Sequence, residues 1–410
     1  MKLLRSESLL RVLILPFVLL VTVLALALGW LSYRAGESAA DNLSRRVVLD
    51  IMARIRLAAD EQLSRSQTVL RILAPDAASA SGRTASTVPF PDRLDALEER
   101  LWVATGIYPG YQYVYFAAPD SGFIGVRRQE DNVELRLLEP GDAYRSVYQV
   151  KTPGDRSTLV DKQNYDGRTR PWYHAALTHK AQVWSPVYTD FSTKHPTVTL
   201  SKPIYRPDGT LAGVAATDLL LSELTAFFSK LDISANGVAF IVERNGNVIA
   251  TSSPEPPYRV RDKTMLRLTA PESVSLLARE AYAEIRSQIE NPRDTEAVVA
   301  RRFESASGPV QIAYSTMNDA PGLDWVSVVA VPQSDFMNIA RRSLLQNMAI
   351  GIAAVVITLL LGLNVLHRVL RDIRKLAGAA HRIGTGETVE SLDVDRKDEL
   401  GHLAKSFIDL

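Results

Sequence analysis

Residues 165–190 read YDGRTRPWYHAALTHKAQVWSPVYTD. This run gathers Tyr165, Arg168, Arg170, Trp172, Tyr173, Trp184, Tyr188 and Asp190, the densest chemistry in the chain, and Asp218 follows on a later strand end. A guanidinium offers a carboxylate two parallel charge-assisted hydrogen bonds. An ammonium is matched by carboxylates, and aromatic rings add cation–π attraction and shape. One Arg with Trp and Tyr, set against two Asp, therefore carries what both poles of a zwitterion require. Each residue also has a plain structural reading: Trp172 as core, Asp190 as a turn residue, Asp218 as the N-cap of a helix over 219–227. Arg168 reads as a solvated neighbour.

Outward from this run the chain shows sheet grammar. Tyr111 to Ala118 alternates aromatic and small residues, and Pro119 to Gly122 turns it into Phe123 to Val126. Lys202 to Tyr205 and Leu211 to Thr217 flank Arg206-Pro207-Asp208-Gly209, a hairpin signal. The pattern returns at Val238 to Glu243 and Val248 to Thr251 around Arg244 to Asn247, then in an amphipathic helix over Ser273 to Ile289. It closes with Val310 to Met317 and Trp325 to Val331. Each half ends in a strand followed by an acidic residue opening a helix, over 215–224 and 329–339. That is a weak internal repeat of two sheet-plus-helix modules.

Before the modules, residues 36–74 read as one long helix, with Leu43, Val47, Ile51, Ile55, Leu63, Leu70 and Leu73 at mostly helical steps. It serves as a dimer stalk or as a helix packed on its own domain. Pro75 to Pro91 reads as a loop, and Asp92 to Thr105 as a helix. Val12 to Tyr33 and Ser343 to Leu366 carry no charge over 22 and 24 residues. About 20 apolar residues cross a bilayer, so both are long enough. A cleavable signal peptide is the alternative for the first, with Ala25-Leu26-Ala27 a weak cleavage site. Lys2, Arg5 and Arg11 before the first span, and Arg368, Arg371, Arg374 and Lys375 after the second, put residues 34–342 outside.

Composition narrows the function. The chain has 410 residues, 47 Lys+Arg against 46 Asp+Glu, and no cysteine. A charge of +1 gives no basic field for nucleic acid, and no Cys-based metal, redox or thiolate chemistry is open. His174, His179 and His195 are not spaced as metal ligands, and no Gly-x-Ser-x-Gly elbow or Gly-rich phosphate loop occurs. The reading is a non-enzyme without cofactor or metal.

After the second span, Val369, Ile373, Leu376, Ala380 and Ile383 step by 4, 3, 4 and 3, an a/d seam. A connector with Gly384, Gly386, Val389, Leu392 and Val394 follows, and Asp398-Glu399-Leu400-Gly401 opens a second short helix through Leu403, Phe407 and Leu410. This helix–connector–helix resembles a HAMP domain, a parallel four-helix bundle of two chains, although the usual proline near its first helix is missing.

The long helix and two modules together resemble the double Cache sensor family, through Arg170-Pro171-Trp172-Tyr173, Gly213 to Asp218, and Leu323-Asp324-Trp325 to Pro332. The resemblance implies an α+β fold with two tandem PAS-like antiparallel-sheet subdomains, the distal one holding the ligand. Tyr165, Arg170, Trp172, Tyr173, Tyr188, Asp190 and Asp218 are similar to that family's amino-acid-binding motif. By that likeness Tyr165, Arg170 and Trp172 hold the ligand carboxylate, and Tyr188, Asp190 and Asp218 its amine. The expected organisation is an N-terminus over 1–11, a span over 12–33, and a periplasmic sensor over 34–342. The sensor comprises the long helix, a distal module over 88–228 and a proximal module over 229–340. A second span over 343–366 and a HAMP domain over 367–410 complete the chain. The expected protein is a homodimeric, two-pass inner-membrane receptor for an amino acid, with no nucleic-acid partner. Its output, such as a cyclase, diguanylate cyclase or kinase, is expected beyond Leu410 or on a separate partner. A receptor for another organic acid or amine, or a ligand-free ectodomain for a partner or for dimerisation, stands as the alternative.

Overall fold

The computed structural model describes residues 9–75, 94–261, 264–290, 298–317, 321–386 and 399–408. The expected loop from residue 76, the basic Lys2 and Arg5, and the connector positions Val389, Leu392 and Val394 lie outside the described residues, as does Leu410. The chain divides into two compact units, one spanning Asp41–Asp335 and the other formed by the two chain ends.

The first unit takes in helix α1 (Leu9–Leu73) from Asp41 onward, and α2 (Leu94–Thr105) follows. The buried stripe of α1 is Val48, Ile51, Met52, Ile55, Ala59, Val69, Leu70 and Leu73. Four residues of the expected stripe are in it, whereas Leu43 is exposed and Ser44 is buried in its place. Lys202 Nζ donates to the Ala74 carbonyl at 3.0 Å, and Ser327 Oγ lies 3.1 Å from Met52 Sδ. One helix thus touches both modules as a spine.

The distal sheet holds β1 (Tyr111–Ala117), β2 (Phe123–Gln129), β3 (Asn132–Leu138), β4 (Arg145–Gln149) and β5 (Thr158–Gln163). After α3 (Pro171–His179) come β6 (Val183–Trp184), β7 (Tyr188–Thr189), β8 (Pro196–Tyr205) and β9 (Leu211–Leu220), then α4 (Leu221–Phe228). The strand order is β5-β4-β3-β2-β1-β9-β8-β6, with β7 on β8. The proximal sheet is made from β10 (Val238–Glu243), β11 (Val248–Thr251), β14 (Val299–Ser305), β15 (Gly308–Met317) and β16 (Trp325–Pro332), in the order β11-β10-β16-β15-β14. A small hairpin of β12 (Tyr258–Arg261) and β13 (Thr264–Arg267) precedes its helix α5 (Leu276–Glu290). In both sheets the last strand returns beside the first, and it then runs into a helix. The weak sequence repeat is thus a structural one, and the α+β class with two tandem antiparallel sheets holds.

Close approach explains three glycines. A Cβ on Gly125 would lie 2.7 Å from Tyr115 Cβ and 3.0 Å from Tyr113 Cε2. One on Gly213 would run into the Phe116 ring and the Ala117 carbonyl. Gly322, at φ +90°, sits against the Trp184 carbonyl, and Trp184 N donates to the Pro321 carbonyl at 2.9 Å. The last pair joins the proximal module to the distal one.

In the second unit, α6 (Ser334–Gly384) contains Ala349–Gly384, the one stretch among the described residues long and apolar enough to cross a membrane. Ile350, Ile352, Ile357, Leu360, Leu361 and Val365 are exposed on it, as are Leu19, Leu20, Val23, Leu24, Leu26 and Leu28 on α1. The final helix, α7, runs Glu399–Ile408. On α6, Leu370, Leu376 and Ala379 are buried within the single chain while Ile373 is exposed.

Candidate ligand-binding site

Strand alternation puts Tyr111, Tyr113 and Tyr115 of β1 on one face of the distal sheet. The register Tyr115↔Ala216 and Thr199↔Asp218 adds Asp218 of β9 and Thr199 of β8 to that face. On it lies a core of Tyr113, Tyr115, Phe123, Tyr165, Trp172 and Tyr173.

Asp218 is buried within β9. The N-cap of α4 is Leu220, so the N-cap reading of Asp218 is corrected: the strand continues through it, and its side chain points into the aromatic face. Its Oδ1 accepts from Tyr115 OH at 2.7 Å and from Thr199 Oγ1 at 2.6 Å. Tyr188 OH lies 2.7 Å from the same Thr199 oxygen. Thr199 spends its single proton on Asp218, so Tyr188 donates to Thr199, and the three form a relay. Asp218 Oδ2 is buried with no partner among the described residues. Burial first, and the nearby Asp190 charge second, push the Asp218 carboxyl up to about 7. The same burial, with the Asp218 charge next, holds Tyr111, Tyr115 and Tyr188 well above the ordinary phenol value, so they stay neutral donors.

Asp190 follows β7 and caps a turn: its Oδ1 accepts from Ser192 N at 3.0 Å, Thr193 N at 2.6 Å and Thr193 Oγ1 at 2.8 Å. The turn reading is therefore correct, and it leaves Oδ2 outside those three bonds. Arg170 occupies the N-cap position of α3 with an extended backbone, and Pro171 takes the first helical position, where its missing N–H costs nothing. Arg170 Nη2 donates to the Thr189 carbonyl at 2.8 Å, and its guanidinium lies 5.3 Å from the Tyr188 ring centroid. Trp172 is buried, edge-on to Tyr115 at 5.0 Å and to Tyr173 at 5.6 Å. Tyr165 is edge-on to Phe123 and to Phe191, both at 5.1 Å.

The structure thus brings Tyr165, Arg170, Trp172, Tyr188, Asp190 and Asp218 together. Tyr173 sits at the margin, its hydroxyl influenced by Arg168, Asp166 and Asp120 rather than by the two central acids. Arg168 is tied to Asp166, through Nη2 at 2.8 Å and Nε at 3.0 Å, and to the Pro119 carbonyl at 3.0 Å, so its reading as a neighbour holds. Tyr111, Tyr113, Tyr115, Thr199, Arg136 and Arg145 share this sheet face and are not among the candidates the sequence offers. The Tyr-x-Tyr-x-Tyr alternation of β1 was a usable signal for the first three.

A family model described as Cache domain matches residues 52–339, and a HAMP domain model matches residues 365–410. The chain belongs to the Cache domain family. Methyl-accepting chemotaxis protein McpC of Bacillus subtilis is 26% identical over 279 residues, covering 67% of this chain and 38% of that protein. PctB, a methyl-accepting chemotaxis protein of Pseudomonas aeruginosa, is 26% identical over 288 residues, covering 68% and 41%. Adenylate cyclase 1 of Rhizobium meliloti is 24% identical over 339 residues, covering 77% and 49%. The chain therefore spans between about two fifths and one half of these relatives' length. The Cache match runs from within α1 to within α6 and takes in both sheets, so the whole candidate site lies inside it. The HAMP match begins within α6. The modules matched in the chain are a Cache domain and a HAMP domain.

Proposed function

We propose that the distal Cache module binds an α-amino acid and that the chain is the sensing and relay part of a two-pass, homodimeric inner-membrane receptor. The observation that carries this is Asp218: a buried carboxylate with one oxygen held by two hydroxyls and the other without a partner among the described residues. Burying such a group is costly unless a cation completes it. An α-ammonium supplies that cation. Arg170, beyond the Tyr188 ring, is the fork for the α-carboxylate, and Tyr165 and Trp172 wall the space between. Asp190 offers its second oxygen to the ammonium.

The exposed apolar runs of α1 and α6 support the two spans, and the HAMP match supports a paired bundle whose seam includes the exposed Ile373. Relatives that carry chemotaxis and adenylate cyclase names support a cytoplasmic output of either kind. Ligand binding shifts the populations of two dimer arrangements, which requires different affinity for each. The test is calorimetry of the full chain in lipid nanodiscs against the twenty amino acids, their decarboxylated amines and their deaminated acids. Binding confined to molecules with both poles supports the site. Equal binding of amines or of acids alone replaces it with a one-pole receptor, and no binding by folded protein leaves a partner-binding ectodomain.

A further inference from the structure

Beyond the two poles, the same sheet face continues across β2, β3 and β4 and carries two arginines that the zwitterion reading does not use. Arg136 and Arg145 are only 2% and 1% exposed. Arg136 donates to Glu134 Oε2 at 3.0 Å and to Ser192 Oγ, and its guanidinium lies 5.1 Å from the Tyr113 ring centroid. Arg145 donates to Gln163 Oε1 and, at 3.4 Å, to Ser192 Oγ. Its guanidinium stacks 3.6 Å from the centroid of Tyr165 and 5.5 Å from that of Phe191. The Nε atoms of both arginines and the hydroxyls of Tyr111 and Tyr113 are buried, with no partner among the described residues. Gly125 makes the arrangement possible, because any side chain there would strike Tyr113 and Tyr115.

The local charges do not balance. Glu134 is shared between Arg127 and Arg136, and Asp190 and Asp218 are committed to the ammonium. Among the described residues Arg145 bonds a carboxamide and a hydroxyl and stacks on aromatic rings, and the Asp190 charge reaches it without forming an ion pair. A guanidinium stays charged at any ordinary pH, so its burial without an anion is costly. Several donors without acceptors, facing one region, are the complement of a carboxylate. The region also touches the poles: Arg145 stacks on Tyr165, and both arginines reach Ser192, whose backbone N–H is held by Asp190.

We propose that the preferred ligand is a dicarboxylic amino acid, with Arg145 and Arg136 selecting the side-chain carboxylate and the Tyr113 hydroxyl as a further donor. This rests on the amino-acid reading of the site. An alternative in which the two arginines only brace the core would make them matter for stability and not for selectivity.

The test is calorimetry on the full chain in lipid nanodiscs, with L-aspartate and L-glutamate against their amides L-asparagine and L-glutamine, and with L-alanine as the minimal zwitterion. The expected result is that one acid binds at least about tenfold tighter than its own amide. Arg145→Gln should then weaken the acid by on the order of 100-fold while the amide changes little, so the ratio collapses. Tyr113→Phe should lower the same ratio by a few-fold, without the folding risk of a buried arginine change. The wild-type ratio needs no variant at all. A tightest ligand that is neutral or cationic overturns the proposal while leaving the amino-acid reading intact, as does an acid-to-amide ratio unchanged in a folded Arg145→Gln. No binding of any amino acid overturns both.

Discussion

Asp218→Asn isolates one buried proton. In the folded chain the carboxyl sits at about 7, against the ordinary 3.8, because burial and Asp190 outweigh the hydrogen bonds from Thr199 and Tyr115. In the unfolded chain it titrates near the free value. Between roughly pH 4 and 7 the folded form therefore holds a proton that the unfolded form has released, so stability falls as pH rises through that window. About three decades at ~1.36 kcal/mol each give a ceiling of about 4 kcal/mol lost by pH 7, with no further loss above. Asn keeps the shape and cannot ionise. The assay is urea unfolding of the segment 41–335 from pH 4.5 to 8.5, for wild type and variant. Glu223 is also pushed up to about 7 by burial and gives a slope of the same sign, so the Asp218 contribution is the difference between the two curves. The difference should open with pH in favour of Asn, reaching up to the ceiling. An amino acid reverses the logic: its ammonium stabilises the ionised carboxylate, so binding below pH 7 should release a proton, and affinity should rise with pH and level off near 7. Parallel unfolding curves for the two proteins, or a Kd independent of pH from 5 to 7, would refute the reasoning.

Three further outcomes are expected. Arg170→Ala should weaken amino-acid binding by roughly 2–5 kcal/mol in calorimetry, and Arg170→Lys should not restore it, because an ammonium has no fork. Gly125→Ala should lower stability by about 1–3 kcal/mol in the same urea assay, since its methyl meets Tyr115 Cβ at 2.7 Å; an unchanged midpoint would show that the aromatic floor yields freely. Gly322→Ala, whose Cβ would meet the Trp184 carbonyl, should shift the Kd and also blunt ligand-dependent crosslinking between the second spans of the proposed dimer, because coupling is reciprocal. An intact crosslinking response would remove this glycine from signalling.

Much of the fold was legible because its signals are local. Hairpins at Arg206 to Gly209 and Arg244 to Asn247, and the apolar runs of β10, β15 and β16, depend on turn chemistry and alternation within a few residues. Strands β3, β4 and β5 are not separable in the sequence: β3 and β4 carry Glu134, Arg136 and Arg145, which read as surface until Phe191 and Ser192 are folded over them, and β5 is exposed along nearly its whole length. The stripe of α1 was half right for a related reason. Its inward face is set by two sheets it must serve at once, so Ser44 is buried where Leu43 looked the better core residue. The candidate positions stand out in the sequence as a set, but the floor beside which the fold places them does not. Asp218 acquires its raised carboxyl from burial and from the Asp190 charge, against hydrogen bonds from Tyr115 and Thr199, 103 and 19 residues away in the chain, that pull it down, and no spacing rule contains that balance.

The site and the route out of it share one short segment. Residues 184–190 begin at Trp184, whose backbone is clamped by Pro321 and Gly322 of the proximal module, and end at Tyr188 and Asp190 beside the buried carboxylate. Arg170 holds the Thr189 carbonyl, and a ligand carboxylate that recruits Arg170 competes for the same donors. Pulling on Arg170 therefore alters the tether of β7, and the far end of that tether is the loop that starts β16. That strand runs directly into α6, the helix that carries the apolar stretch and the start of the HAMP match. A packed junction with no room for a Cβ does not deform smoothly, so it supports two arrangements better than a continuum. Coupling then requires that the ligand favour one arrangement, and in the proposed binding mode the Arg170–Thr189 bond is where a carboxylate would make that difference.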